Sequence, residues 1–198
     1  MKKLLLLLFV ASLIQLNAQE FEIKTLVIEE GSNASKGTYQ SMKPMTVFEL
    51  EGTATELYNK AINWVNVTYK NPEEVIKGKV DSDYLRLEGF ASHLIHSSVL
   101  GSYSSYDVRY TVKLNFKDGR FKYEITKMEY NQPDYGGWFS MMANNEVEYK
   151  TANRKGKAKK DGVANFNAIK SYFENLGISI KDYMQKNDAS KTKSDEDW

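Results

Sequence analysis

Apolar positions along this chain change period several times, and each change marks an element. Thr46 to Leu50 is a short β-prone run after Pro44, closed by Gly52 and Thr53. From Thr53 the period lengthens. Leu57, Ala61 and Val65, with Tyr58, Ile62, Trp64 and Tyr69, recur at spacings of three and four. That spacing gathers them on one broad helix face. Thr53 and Glu56 stand at capping-box spacing, so the hydroxyl takes one orphan N–H and the carboxylate returns to the cap residue's own N–H. Asn71-Pro72 stops the helix near Tyr69, because a residue before proline avoids helical geometry.

Strand periods follow. Val75 to Val80 reads as one strand and Tyr84 to His96 as another, bent at Gly89. Val108, Tyr110, Val112, Leu114 and Phe116 then alternate with polar residues, and Phe121, Tyr123 and Ile125 do the same. Asp118-Gly119 between them suits a two-residue hairpin turn. Centring the turn there pairs Phe116 with Phe121, Leu114 with Tyr123 and Val112 with Ile125 on one face. It pairs Lys113 with Glu124 on the other. A slip of one residue would expose the whole apolar set, so the register is specified.

Asn131 to Lys160 carries Pro133, Gly136, Gly137 and Gly156 and reads as a long loop, with one short strand at Glu146 to Lys150. Asp161 can cap a last helix in which Phe166, Ile169, Phe173 and Leu176 share a face. Gly177 followed by Ile178 reads as its end, with Ile180, Tyr183 and Met184 on a short further helix. Asn187 to Trp198 is polar and charged, and reads as disordered. Glu20 to Ile28 is an ambiguous extra strand, and Gly31 to Lys43 a loop. The core order is strand, helix, four strands, helix, an α+β domain over residues 44–186 preceded by an N-terminal extension, 19–43.

Two of these segments carry a family likeness. Glu56-Leu57-Tyr58-Asn59-Lys60-Ala61-Ile62-Asn63-Trp64 with the Asn71-Pro72 exit, and Lys117 to Thr126, resemble the DUF4468 domain. The likeness covers roughly Pro44 to Tyr130. It implies a TBP-like fold, with a curved antiparallel sheet in β-α-β-β-β-β-α order and its helices on one face. It also implies a secreted bacterial protein. The family brings no catalytic residues to carry over.

The N-terminus agrees with secretion. Lys2 and Lys3 precede an apolar run from Leu4 to Ile14, and Ala18 offers a small residue before a cut, so residues 1–18 read as a signal peptide. That run is too short to span a ~30 Å hydrocarbon core. The expected location is the periplasm or the exterior, with the protein soluble after cleavage. Without Lys2 and Lys3 the charges stand at 25 basic against 26 acidic. Such a balance argues against nucleic-acid binding, which needs a strong positive field. There is no cysteine, which excludes thiol catalysis and thiolate metal sites.

Chemistry-bearing residues are sparse. His93 and His96 alternate across a strand and so point to opposite faces, which argues against a shared metal. Ser92, Ser97 and Ser98 have no evident base. No metal, cofactor or catalytic set is expected. The least ordinary feature is apolar surface inside the loop: Tyr135, Trp138, Phe139, Met141 and Met142. Two readings stay open, a lid folded over the sheet and a contact patch for a partner or ligand. Arg154, Lys155, Lys157, Lys159 and Lys160 form a basic run before the last helix, where positive charge is unfavourable; it could attract anionic envelope surfaces.

Three function classes follow. The favoured one is a non-enzymatic interaction module of the bacterial cell envelope, engaging an envelope protein. The alternative is a small-ligand carrier with a pocket between sheet and last helix, lined or filled by Tyr110, Tyr123 and Phe173. The third, an enzyme, lacks a catalytic constellation.

Overall fold

The hairpin read from alternation is the axis of the molecule. The computed structural model describes residues 21–28, 36–99, 101–132 and 136–194. Strand β1 is Ile23–Ile28, β2 Gly37–Met42 and β3 Met45–Glu49. Helix α1 is Ala54–Thr68 and α2 the single turn Pro72–Val75. Strands β4 (Ile76–Val80), β5 (Tyr84–Val99), β6 (Ser102–Lys117) and β7 (Arg120–Gln132) follow. Then come β8 (Gly137–Ser140), β9 (Met142–Ala143), β10 (Glu146–Ala152) and α3 (Lys160–Ser194).

The larger sheet runs β3-β7-β6-β5-β4, all antiparallel, with β8 also on β7. Phe116 pairs with Phe121, Leu114 with Tyr123, Val112 with Ile125 and Lys113 with Glu124, as the alternation requires. Gly119 takes φ 77° in the turn. The turn also serves the first helix: Asp118 Oδ1 accepts from Ala54 N at 2.8 Å, satisfying an N–H that the helix cannot. Thr53 and Glu56 form the expected capping box.

Both long helices lie on one face of this sheet. Leu57, Tyr58, Ala61, Trp64 and Val65 of α1 are buried there. Trp64 is 2% exposed, and its Nε1 donates to Ser179 Oγ at 3.3 Å. Phe166, Ile169, Phe173, Ile180 and Met184 of α3 are buried against the same core.

Several expectations need correction. Helix α3 does not stop at Gly177. A Cβ there would sit 3.0 Å from Phe48 Cζ, so this glycine lets the helix approach β3 closely. Its backbone stays helical to Ser194, through much of the segment read as disordered from Asn187. The bend in β5 lies not at Gly89 but in a bulge between Ala91 and Ile95, where His93 has φ 55°. Gly89 stays paired with Tyr110.

The segment Gly31 to Lys43 is not all loop, since β2 occupies Gly37–Met42. It lies in a second sheet, β1-β2-β10-β9, and the described part of the N-terminal extension belongs to the same core through Phe21 and Met42. The stretch read as a loop holds β8, β9 and β10. Met141 ties the two sheets: its N–H donates to Met128 O at 2.9 Å, and its carbonyl accepts from Glu148 N at 3.1 Å. The signal-peptide segment lies outside the described residues. Among the described residues no helix is long and apolar enough to cross a membrane.

Among the described residues three buried side-chain atoms lack a hydrogen-bond partner: His96 Nδ1, Asn115 Oδ1 and the Tyr123 hydroxyl. Tyr123 is fully buried, and its hydroxyl has no hydrogen-bond partner among the described residues. Removing an unpaired buried hydroxyl removes a desolvation cost. Tyr123→Phe is therefore expected to leave stability unchanged or raise it by about 1–2 kcal/mol. A urea melt checks this; a loss above about 1 kcal/mol would show a hidden partner.

Candidate functional site

The face of the large sheet turned away from the helices carries long polar side chains, with a few aromatic rings among them. Register explains how it is built. Phe90 lies beside Arg109, Arg109 beside Glu129, and Glu129 beside Ser140 across β5, β6, β7 and β8. Trp138, paired with Asn131, falls on the same face. The Arg109 guanidinium lies 4.4 Å above the Trp138 ring. Phe90, 54% exposed, meets Trp138 edge-on at 6.2 Å between centroids.

Glu129 locks the arginine in place. Arg109 Nε donates to Glu129 Oε2 in a short contact, and Lys127 Nζ lies 3.1 Å from the same oxygen. Burial works to raise the Glu129 carboxyl, but the hydrogen bonds from Arg109 and Lys127 outweigh it and hold it below the ordinary 4.5. The folded value lies below the unfolded one, so this contribution is complete above about 4.5 and fades as pH falls through the lowered value. The Arg109 side-chain N–H is expected to be protected from exchange at neutral pH and to lose protection in acid below that range. Protection unchanged through acidification would mean that Glu129 does not hold the arginine.

A groove adjoins this platform. About 640 Å³ opens between the corner from α1 to α2 and the edge of β5, lined by Tyr69, Val75, Gly89, Phe90 and Arg109. Gly89 shapes its floor, since a Cβ there would fall 2.2 Å from Tyr110 Cζ.

The five apolar residues singled out in the loop do not form one patch. Trp138 joins the outer platform. Phe139, its neighbour on a strand, points to the helix side and packs on Tyr130 at 5.8 Å. Met141 is buried and Met142 half-buried. Tyr135 lies outside the described residues. Sequence reasoning missed Phe90, Arg109 and Glu129. Phe90 was findable: Leu85, Leu87 and Ala91 take the inward phase of β5, which leaves an aromatic on the outward one.

A second concavity lies on the helix side, where α3 begins. It measures about 430 Å³ and is lined by Tyr106, Tyr130, Met141, Tyr149, Lys159 and Asn165. Asn165, 2% exposed, seals the adjoining edge of β5: Oδ1 accepts from His96 N, and Nδ2 donates to His96 O and Tyr149 Oη. Asp161 accepts from Ser98 N at 2.7 Å. Tyr110, Tyr123 and Phe173 do not line this cleft; they are buried and fill the core. His96 stacks on Tyr103 at 5.2 Å and His93 is exposed at the bulge.

The basic run is exposed and mostly outside the helix. Asn153 Oδ1 accepts from Lys155 N and Lys157 N, folding Arg154, Lys155 and Lys157 into a turn with Gly156 at φ 73°. Only Lys160 enters α3, followed by Asp161, whose charge suits a helix start. Lys159 stands at the rim of the cleft.

An antiparallel sheet with its helices on one face defines an α+β, TBP-like class. Residues 46–131 match the family model described as domain of unknown function (DUF4468) with TBP-like fold. The matched segment runs from β3 to near the end of β7, and over it the chain is similar to the DUF4468 family. A crystal structure of a DUF4468 family protein from Bacteroides ovatus superposes with a TM-score of 0.52 at 13% identity, covering 85% of this chain and 91% of that one. A TBP-like protein from Parabacteroides distasonis gives 0.47 at 18% identity, covering 71% and 90%. None of the curated proteins compared matches the chain.

Proposed function

We propose that this chain is a non-enzymatic binding module of the bacterial cell envelope, exported by its N-terminal segment, and that it engages a protein partner through the outer face of its large sheet. The observation that carries this reading is the Trp138–Arg109–Phe90 platform. Tryptophan and arginine dominate binding hot spots, because they bury large area with specific geometry. Here the arginine is already fixed by Glu129 and the ring by the arginine. Such fixation lowers the entropy cost of docking. Phe90 adds apolar area that its own fold leaves half open.

The cleft at the start of α3 favours a second reading, a small-ligand carrier. Its three tyrosines and Asn165 combine apolar walls with a few convergent polar groups, which is the make-up of a ligand site.

Native mass spectrometry of protein recovered from its own host separates the two. The first reading expects a retained species of protein mass that is lost in Trp138→Ala. The second expects a small retained mass that survives Trp138→Ala and is lost in Tyr149→Ala. Protein of its bare mass under mild extraction would contradict both.

A further inference from the structure

We propose that the hairpin end of the large sheet's outer face binds a hydroxylated anion, a sugar or polyol that carries a phosphate or carboxylate. This site is separate from the Trp138 platform and does not rest on the protein-binding reading. A concavity of about 470 Å³ opens there, lined by Asp83, Lys113, Asn115, Lys117, Arg120 and Lys122. Its size falls within the ~300–1,000 Å³ of small-ligand sites. Strand register explains why four cations meet at one place. Phe116 and Phe121 are buried in the core, so their neighbours Asn115, Lys117, Arg120 and Lys122 turn to the other face. Asn115 stands at the centre. Lys113 and Lys117 lie two residues to either side of it on β6, Lys122 is directly opposite on β7, and Arg120 is on the diagonal. Opposite and diagonal neighbours stand about 5 Å and about 7–8 Å apart, so these long side chains can converge on one ligand.

Folding does not explain this arrangement. Lys117 and Arg120 are paired across the turn, and like charges directly opposite destabilise a sheet. Neither has an ion-pair partner among the described residues, although Glu49 stands opposite Arg120 on β3. Lys122 is paired with Glu124 at 2.7 Å, and Lys113 rests over the Tyr84 ring at 4.8 Å. Over the whole chain basic and acidic residues nearly balance, so the excess is local. An anion among these cations offsets their repulsion. A second demand comes from Asn115, whose Oδ1 is buried and accepts from no group among the described residues. A buried acceptor without a donor is costly. A bare anion brings only acceptors and leaves this oxygen unpaired. A neutral sugar brings hydroxyl donors and leaves the cations uncompensated. A molecule with both groups answers the two demands together, and Asp83 offers a further acceptor for a hydroxyl.

The test is calorimetric titration of the purified chain with glucose 6-phosphate, glucuronate, glucose and inorganic phosphate, with vesicle flotation for a lipid headgroup as the source. For a free ligand, at least one sugar anion is expected to bind about tenfold or more tighter than both glucose and phosphate. For a headgroup, phosphatidylglycerol vesicles are expected to capture the chain, and phosphatidic acid vesicles, which lack headgroup hydroxyls, are not. Lys117→Gln combined with Arg120→Gln is expected to weaken the response by about tenfold or more. Its Tm should stay within about 2 °C of the parent or rise, because a repulsion is removed. Asn115→Ala is expected to abolish the preference over the bare anion and to leave binding of phosphate itself unchanged. Trp138→Ala should leave every response unchanged. Equal binding of phosphate and the sugar anions with equal capture by the two vesicles would overturn the proposal, as would no response to any probe. A response indifferent to the double variant, or one lost in Trp138→Ala and kept in Asn115→Ala, would overturn it as well.

Discussion

Gly89→Ala is expected to destabilise the fold by about 3 kcal/mol, a large effect for one added methyl. A Cβ at this position would lie 2.2 Å from Tyr110 Cζ and 2.4 Å from its hydroxyl oxygen. The ring has little room to retreat. Tyr110 is 3% exposed, its hydroxyl meets that of Tyr172 at 3.0 Å, and Phe173 lies edge-on at 4.9 Å. Moving it would disturb α3 as well as the sheet. The clash also names its own rescue. In a Tyr110→Leu background the ring is gone, so Gly89→Ala should cost less than about 1 kcal/mol there. Urea melts of the four proteins measure the coupling. Equal costs in both backgrounds would mean that Gly89 is needed for its backbone freedom and not for the space it leaves.

Trp64→Ala is expected to cost about 3–5 kcal/mol. The ring is 2% exposed between α1 and α3, edge-on to Tyr69 at 5.7 Å, and its N–H is paired with Ser179. Truncation leaves a cavity where the two helices meet. Trp64→Phe keeps most of the volume and should lose roughly half as much. A loss under 1 kcal/mol for the alanine variant in a urea melt would place this helix face in solvent.

These two residues also show what was legible in the sequence. Trp64 could be read because a helix face is local: seven apolar residues at spacings of three and four mark it, and the cap signals its start. The hairpin was legible for the same reason, with register set by adjacent strands and a two-residue turn. Gly89 was read as a bend, because a glycine in a strand signals either a bend or a close approach. Which one applies depends on Tyr110, two strand-lengths of pattern away. Gly177 failed similarly. The stripe Phe166, Ile169, Phe173, Ile180 and Met184 runs through it, but a glycine before Ile178 also looks like a helix end. Strand β2 was hidden, since Gly-Thr-Tyr-Gln-Ser-Met alternates weakly and pairs with β10, more than a hundred residues later.

The candidate site was legible only in part. Trp138 stood out as an aromatic among glycines. That Phe139 turns the opposite way required knowing that these residues form a strand on β7. That Arg109 and Phe90 lie beside Trp138 required the full register of β5, β6 and β7. Pairing across four strands is a tertiary fact, and local pattern does not contain it.

In the proposed binding mode the outer face of the large sheet, and not the helix side, meets the partner. A photo-cross-linking amino acid placed in turn at Phe90, Phe139 and Val67, in protein expressed in its own host, tests this most directly. Phe90 lies on the platform, Phe139 on the opposite face, and Val67, 67% exposed, on α1. One defined cross-linked protein band is expected from position 90, lost in Trp138→Ala, with none from 139 or 67. A band from 139 or 67 with none from 90 would contradict it.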